Sequence, residues 1–159
     1  MRNIDYVNCH SGGLVKGVFV PNYGPDVSSV CLNVDTWLNV PKRKWEASGT
    51  SGQKAALRGV PHMSTYDGWF PEGFYSGATG WEVPTHVTTI EGDWTIDADF
   101  GLFQRVLENG ARAYYRRAQR SERPGQEFTD KMVMAMALNG SYFSARRMFD
   151  QYASGVYER

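Results

Sequence analysis

Cysteine is scarce. Cys9 and Cys31 are the only two, and a pair so far apart does not make the disulfide framework of a small secreted domain. Histidine is almost as rare, and His10, His62 and His86 show no metal-ligand spacing, which argues against a zinc site. A surplus of one charge is also missing, since 17 Lys+Arg face 17 Asp+Glu. Nucleic-acid binding leans on excess positive charge, so no nucleic-acid partner is expected. The basic stretch of Arg116, Arg117, Arg120 and Arg123 is interrupted by Glu122 and reads as a solvated helix end. No apolar run approaches the roughly 18 residues that a membrane span needs. The first residues lack the apolar core of a signal peptide. The expectation is a cytoplasmic protein with no membrane partner.

What is present is a globular composition. The 159 residues suggest one domain, able to bury roughly 70% of its unfolded-chain surface. Aromatics reach 14%, which reads first as core and then as pocket lining on which sugar rings can stack. In the first half, short apolar runs alternate with glycine and proline. Residues 14–20 (LVKGVFV) and 34–40 (VDTWLNV) read as strands, 25–33 as a short helix, 52–58 (GQKAALR) as a helix and 62–66 as a third strand. Strands alternating with helices at this spacing imply βαβ units and a parallel sheet. Residues 67–83 read as a long loop rich in glycine and aromatics, among them Trp69 and Trp81, which serve either as buried anchors or as sugar-stacking surfaces. Asp67 reads as a turn residue. The second half is helical. It spans 97–117, with Asp97 and Asp99 as capping candidates, then 128–138, apolar nearly all round, and 143–157, with one broad apolar face.

Chemistry concentrates in Glu46-Ala47-Ser48-Gly49-Thr50-Ser51-Gly52-Gln53-Lys54, between an expected strand and an expected helix. In an open α/β sheet this is the crevice side, at the carboxyl ends of the strands. Small residues let main-chain N–H groups approach a ligand, and a helix N-terminus adds free donors and partial positive charge. Together they suit a phosphate or sugar hydroxyls. Lys54 falls in the first turn of the expected helix, where a cation opposes the dipole. That position makes sense if the amine neutralises a phosphate or forms a Schiff base with an aldehyde cofactor. Taken alone, the loop fits a solvated surface lysine equally well. The spacing is neither that of a Walker loop nor of the dinucleotide fingerprint.

The longer string narrows the choice. Residues 46–59, EASGTSGQKAALRG, resemble the EASGTSGMKAALNG signature of the α-glucan (glycogen/maltodextrin) phosphorylases. The likeness continues through VPHMSTYDGWF at 60–70, similar to VPNLSVLDGWW, with Glu72-Gly73 and Gly80-Trp81 in step. Upstream, VFVPNY at 18–23 and VDTWLNV at 34–40 resemble VFLPNY and VDVWLNT. Downstream, 102–115 and the SARRM run at 144–148 resemble the end of the family's chain. The resemblance runs in one collinear order from about Leu14 onward and corresponds to the C-terminal segment only.

The resemblance implies a fold and an activity. The fold would be α/β, a partial Rossmann-like C-terminal lobe of a two-lobed glycosyltransferase: a parallel sheet plus C-terminal helices. Residues 1–95 would form the partial α/β segment with the cofactor-lysine loop, and 96–159 the helices of the same domain. The activity would be phosphorolysis of α-1,4-glucan by inorganic phosphate to glucose 1-phosphate, with pyridoxal phosphate as cofactor. By position, Lys54 would carry the cofactor Schiff base. Thr50, Ser51 and Tyr23 would contact the cofactor, and Glu46, Ala47, Ser48 and Gly49 the glucosyl hydroxyls. Gln53 stands where the family has methionine, Arg58 and His62 where it has asparagines, and Trp45 where a small or aliphatic residue is common. The family's N-terminal lobe is absent from the string, so partners are expected to include a chain carrying that lobe, or a second copy of this one. The chain by itself would be inactive. The alternative is a non-catalytic remnant that acts as a glucan-binding or assembly module.

Overall fold

The computed structural model describes residues 2–13, 15–41, 47–84, 96–116 and 123–157. The chain falls into two units, Met1–Asn33 and Val34–Arg159.

In the first unit, helix α1 (Arg2–His10) is followed by an extended run and then by α2 (Pro25–Cys31). Proline at the start of α2 suits its first turn, where an N–H has no helical partner anyway. The strand expected over 14–20 is not found: residues 15–20 are in no strand, and Leu14 lies outside the described residues. The reason is local. Asn8 Nδ2 donates to the Gly17 carbonyl at 2.9 Å, and the Gly17 N–H donates to Asn8 Oδ1 at 2.6 Å. One side-chain amide thus takes the donor and acceptor that a ladder would use. Val18, Phe19 and Val20 are left exposed.

The second unit is an α/β structure around a three-stranded parallel sheet in the order β1 (Trp37–Asn39), β2 (His62–Ser64), β3 (Gly80–Glu82). Trp37 pairs with His62, and His62 with Gly80. Two expected strands are therefore present in shortened form. The third, β3, lies inside the stretch read as loop, and that expectation is corrected. Its glycine gave no strand signal, yet glycine is required there: a Cβ on Gly80 would stand 2.3 Å from the His62 carbonyl oxygen. The same stretch also holds a short helix, α4 (Phe70–Gly73).

The central strand β2 is buried throughout, and its side chains alternate between two faces. Met63 points to a core with Val83, Val106, Trp81 and Phe103, under α5 (Ile96–Tyr115). Gly110 lets α5 come close, because a Cβ there would meet Met63 Cε at 1.9 Å. His62 points the other way, toward α3 (Thr50–Leu57), Trp69 and Phe70.

The chain then runs as α6 (Gln126–Met134), a π-helical turn (Ala135–Asn139) and α7 (Gly140–Tyr142). The helix expected over 128–138 runs on past that range, through Asn139 and Gly140, by way of the π turn. An apolar pattern around the first turns suggests a buried helix. Instead one stripe is buried, Phe128, Lys131, Ala135 and Asn139, while Val133, Met134 and Met136 are exposed. Lys131 is buried because its ammonium donates to the Gly77 carbonyl and lies 5.2 Å from the Trp81 ring centre. Gly59, at φ +75°, lets the chain turn out of α3 under the Met132 carbonyl.

The last helix, α8 (Ala145–Tyr152), continues into a second π turn (Ala153–Tyr157). Ser144 caps it, its Oγ accepting from the Arg147 N–H at 3.2 Å. Ser144→Ala is expected to lower unfolding free energy by about 1 kcal/mol in urea denaturation, with no change in slope. Among the described residues, no helix is long and apolar enough to cross a membrane. The proposed caps Asp97 and Asp99 lie in residues whose side chains are outside the description.

Candidate functional site

In a parallel sheet all the carboxyl ends face one way, here at Asn39, Ser64 and Glu82. The chain leaving β1 is held at that edge. Thr65 N–H donates to the Asn39 carbonyl at 3.2 Å, and Thr65 Oγ1 donates to the Pro41 carbonyl at 2.9 Å. Residues 42–46, including Trp45 and Glu46, lie outside the described residues. The chain returns as Ala47 and Ser48, both exposed, and enters α3 through Gly49.

Gly49 is the N-cap, with extended backbone angles of −87° and 131°, and no side chain caps the helix. The first amides of α3 therefore have no side-chain acceptor supplied by the cap position. The helix begins at Thr50 and not near Gly52, so one expectation changes. Lys54 lies in the last turn of this eight-residue helix, not its first. A cation there runs with the dipole, not against it.

Helical spacing gives α3 two faces. Gly52, Ala55 and Ala56 are buried. Thr50 and Lys54 are exposed and Ser51 half-buried, and Lys54 follows Ser51 and Thr50 by three and four residues. Two hydroxyls and one amine thus share the outer face, one turn from the main-chain N–H groups that begin the helix. Gln53 braces the junction, its Nε2 donating to Ser48 Oγ at 3.3 Å. By resemblance alone, Gln53 is only a departure from the family's methionine. Its spacing of five from Ser48 was the available signal.

The inner face rests on His62, which is 2% exposed. His62 Nδ1 lies 3.1 Å from the Val60 carbonyl, while Nε2 lies against Gly52 without a hydrogen bond. Burial lowers the imidazole pKa from 6.5 to about 4, opposed by main-chain carbonyl contacts, so the ring is neutral at ordinary pH. Trp69 meets His62 edge-on, with ring centres 5.1 Å apart, and is 3% exposed. Trp69 is thus a buried anchor, not a sugar-stacking surface. Trp81 is half-buried against Phe128.

The structure brings Ala47, Ser48, Gly49, Thr50, Ser51 and Lys54 together at one loop–helix junction. Tyr23 lies in the Met1–Asn33 unit, where it is 57% exposed. Among the described residues, no three His, Cys, Asp or Glu side chains form a metal-binding group.

No protein-family model matches the chain. It is 35% identical over 132 residues to a maltodextrin phosphorylase of Thermococcus litoralis, covering 82% of this chain and 15% of that protein. It is 37% identical over 127 residues to a glycogen phosphorylase of Aquifex aeolicus, covering 79% and 18%. An uncharacterized protein of Methanocaldococcus jannaschii is 58% identical over 129 residues, covering 78% and 21%. The chain therefore spans between about a seventh and a fifth of the length of these relatives. The parallel α/β unit and these matches agree: the chain resembles a segment of the much longer maltodextrin and glycogen phosphorylases.

Proposed function

We propose that this chain is the C-terminal, cofactor-holding part of a pyridoxal-phosphate-dependent α-glucan phosphorylase, acting in the phosphorolysis of α-1,4-glucan to glucose 1-phosphate. The observation that carries the reading is the outer face of α3. An exposed amine, two hydroxyls and a helix start with no capping side chain lie within two turns of helix, in a signature string shared with the family. These residues fit the cofactor: the group is an aldehyde bearing a phosphate, and the face offers an amine for one and donors for the other. No Cβ-sized obstruction crowds Gly49, which has open space beside it.

In this reading Lys54 anchors the cofactor. Thr50 and Ser51 hold anionic oxygens, chiefly through main-chain N–H groups, and Ala47, Ser48 and Gly49 present backbone to glucosyl hydroxyls. By resemblance alone, Glu46 would accept from sugar hydroxyls and Tyr23 would contact the cofactor. When bound, the cofactor would supply a phosphate able to act as an acid–base group toward the substrate phosphate, with Thr50 and Ser51 holding its oxygens. Two adjacent phosphates repel one another, so a site for both needs many donors, and α3 supplies only some of them. The remaining donors would come from the phosphorylase segments that this sequence does not span, whether on the same polypeptide or another. The same family reading makes it a cytoplasmic enzyme of carbohydrate metabolism.

The test is reconstitution. The chain mixed with a polypeptide carrying the remaining phosphorylase segments, plus pyridoxal phosphate, should release glucose 1-phosphate from maltodextrin in a phosphate-dependent way. A mixture that forms a complex yet stays inert would overturn the enzymatic reading and favour a glucan-binding or assembly module.

A further inference from the structure

Lys54 is exposed, but the residues on either side of it are not. Two positions before it, Gly52 lies directly on a pair of aromatic rings: a Cβ added there would stand 2.4 Å from Trp69 Nε1 and 3.1 Å from His62 Nε2. One position after it, Ala55 is fully buried, and its carbonyl accepts from the Val60 N–H at 3.1 Å. Val60 in turn is the residue whose carbonyl meets His62 Nδ1. The imidazole therefore touches α3 twice, directly under Gly52 and through Val60 to Ala55, and the two contacts bracket Lys54.

The bed beneath is firm. Trp69 is wedged between His62, Phe70 and Phe143, at ring-centre distances of 5.1, 6.3 and 5.5 Å, all edge-to-face. Its far edge is closed by Gly73, where a Cβ would come within 2.3 Å of the indole. Gly52 and Gly73 thus clasp one indole from two sides, and neither tolerates a side chain without displacing it. By contrast, His62 Nε2 is fully buried and, among the described residues, has only the main chain of Gly52 beside it, with no well-formed hydrogen bond. A buried nitrogen without a partner contributes nothing favourable at that atom. The ring serves by its shape.

We propose that His62, with Trp69, is a positioning residue for Lys54: the two rings form the seat on which the Gly52–Ala55 turn rests, and the seat sets where the Lys54 amine meets an aldehyde cofactor. This rests on the reading of Lys54 given above. The physical reason for expecting a large effect is that reactivity of a positioned group falls steeply with displacement, by up to about a hundredfold for 1 Å. A helix of eight residues has little stiffness of its own to resist a shift when its seat is removed.

The experiment uses the intact protein treated with pyridoxal phosphate and reduced with borohydride. Label at Lys54 is measured by peptide mass spectrometry relative to label at exposed Lys16. Wild-type protein should label Lys54 preferentially. His62→Ala removes the seat from the β2 side, and Gly52→Ala disturbs it from the α3 side. Each should lower the Lys54-to-Lys16 ratio by about tenfold under conditions where circular dichroism matches wild type. His62→Phe keeps a ring of similar outline without either nitrogen, and should stay within about twofold of wild type. If wild-type label strongly favours Lys54 and both His62→Ala and Gly52→Ala keep that preference, the positioning inference is overturned while the assignment of Lys54 stands. If His62→Phe falls as far as His62→Ala, a role through the nitrogens replaces the one argued here. If wild-type protein shows no preference for Lys54, the cofactor reading itself fails and the inference falls with it.

Discussion

Lys54→Ala should lose all borohydride-trapped pyridoxal phosphate at that peptide while leaving the fold almost untouched. The two halves of this result have separate causes. The side chain is exposed on the outer face of α3, so its removal opens no cavity. Alanine is the better helix former, by a few tenths of a kcal/mol. Against that stands the loss of a cation from the last helical turn, worth about 0.3–1 kcal/mol. The two nearly cancel, and unfolding free energy should change by no more than about 0.5 kcal/mol. The functional half is all-or-none, because no neighbouring group can replace a covalent anchor. In the reconstituted enzyme, phosphate-dependent release of glucose 1-phosphate should fall at least about a thousandfold. Retained activity with lost label would assign the chemistry to another amine. A drop in stability of several kcal/mol would place Lys54 in the core's support and not on a reactive face.

The elements legible in the sequence were those whose local pattern and tertiary role agree. Residues 50–57 form a helix with small residues inward and polar residues outward, and the small, buried Gly52, Ala55 and Ala56 mark the packed face. Its start was misplaced by two residues because Gly49, the actual N-cap, carries no capping side chain to announce it. That small shift moved Lys54 from one end of the dipole to the other. Strand β3 was invisible for a different reason. Gly80-Trp81-Glu82 has no strand pattern of its own and is a strand only because β2 pairs with it. The reverse error arose at 15–20, where a β-rich string is diverted by the Asn8 amide nine residues away. Lys131 could not have been foreseen as buried, since its partners are a loop carbonyl 54 residues distant and the face of Trp81. Of the candidate site, Ala47 to Lys54 are neighbours in sequence and their roles rest on the family pattern, whereas His62, the residue beneath them, stands in the sequence as a departure from that pattern. A sequence shows that a residue is unusual before it shows what the residue touches.

The acid side of the stability profile should carry the signature of His62. Its pKa is 6.5 when solvated and about 4 when folded, and the cause is burial, with no neighbouring charge contributing. Trp69, Phe70 and Gly52 surround it, none of them titratable. The folded state therefore binds its proton more weakly than the unfolded state does. Stability from this group is complete above pH 6.5 and is lost as pH falls from there to about 4, where the folded form also protonates and the loss ends. At 1.36 kcal/mol per unit of difference, the total is about 3 kcal/mol, a large share of a small unit's stability. Carboxylates also titrate near the lower end, so the comparison that isolates His62 is with His62→Phe, measured by urea denaturation across pH 8 to 4. The variant gives up the bond to the Val60 carbonyl and should be less stable by about 1 kcal/mol at pH 8. It keeps a ring against Gly52 and has nothing to protonate. The two curves should therefore cross below pH 6.5, with the variant ahead by about 2 kcal/mol near pH 4. Parallel curves would mean that the imidazole is solvated after all. It could not then be a dry seat beneath Gly52, and the support argued for Lys54 would have to come from Trp69 alone.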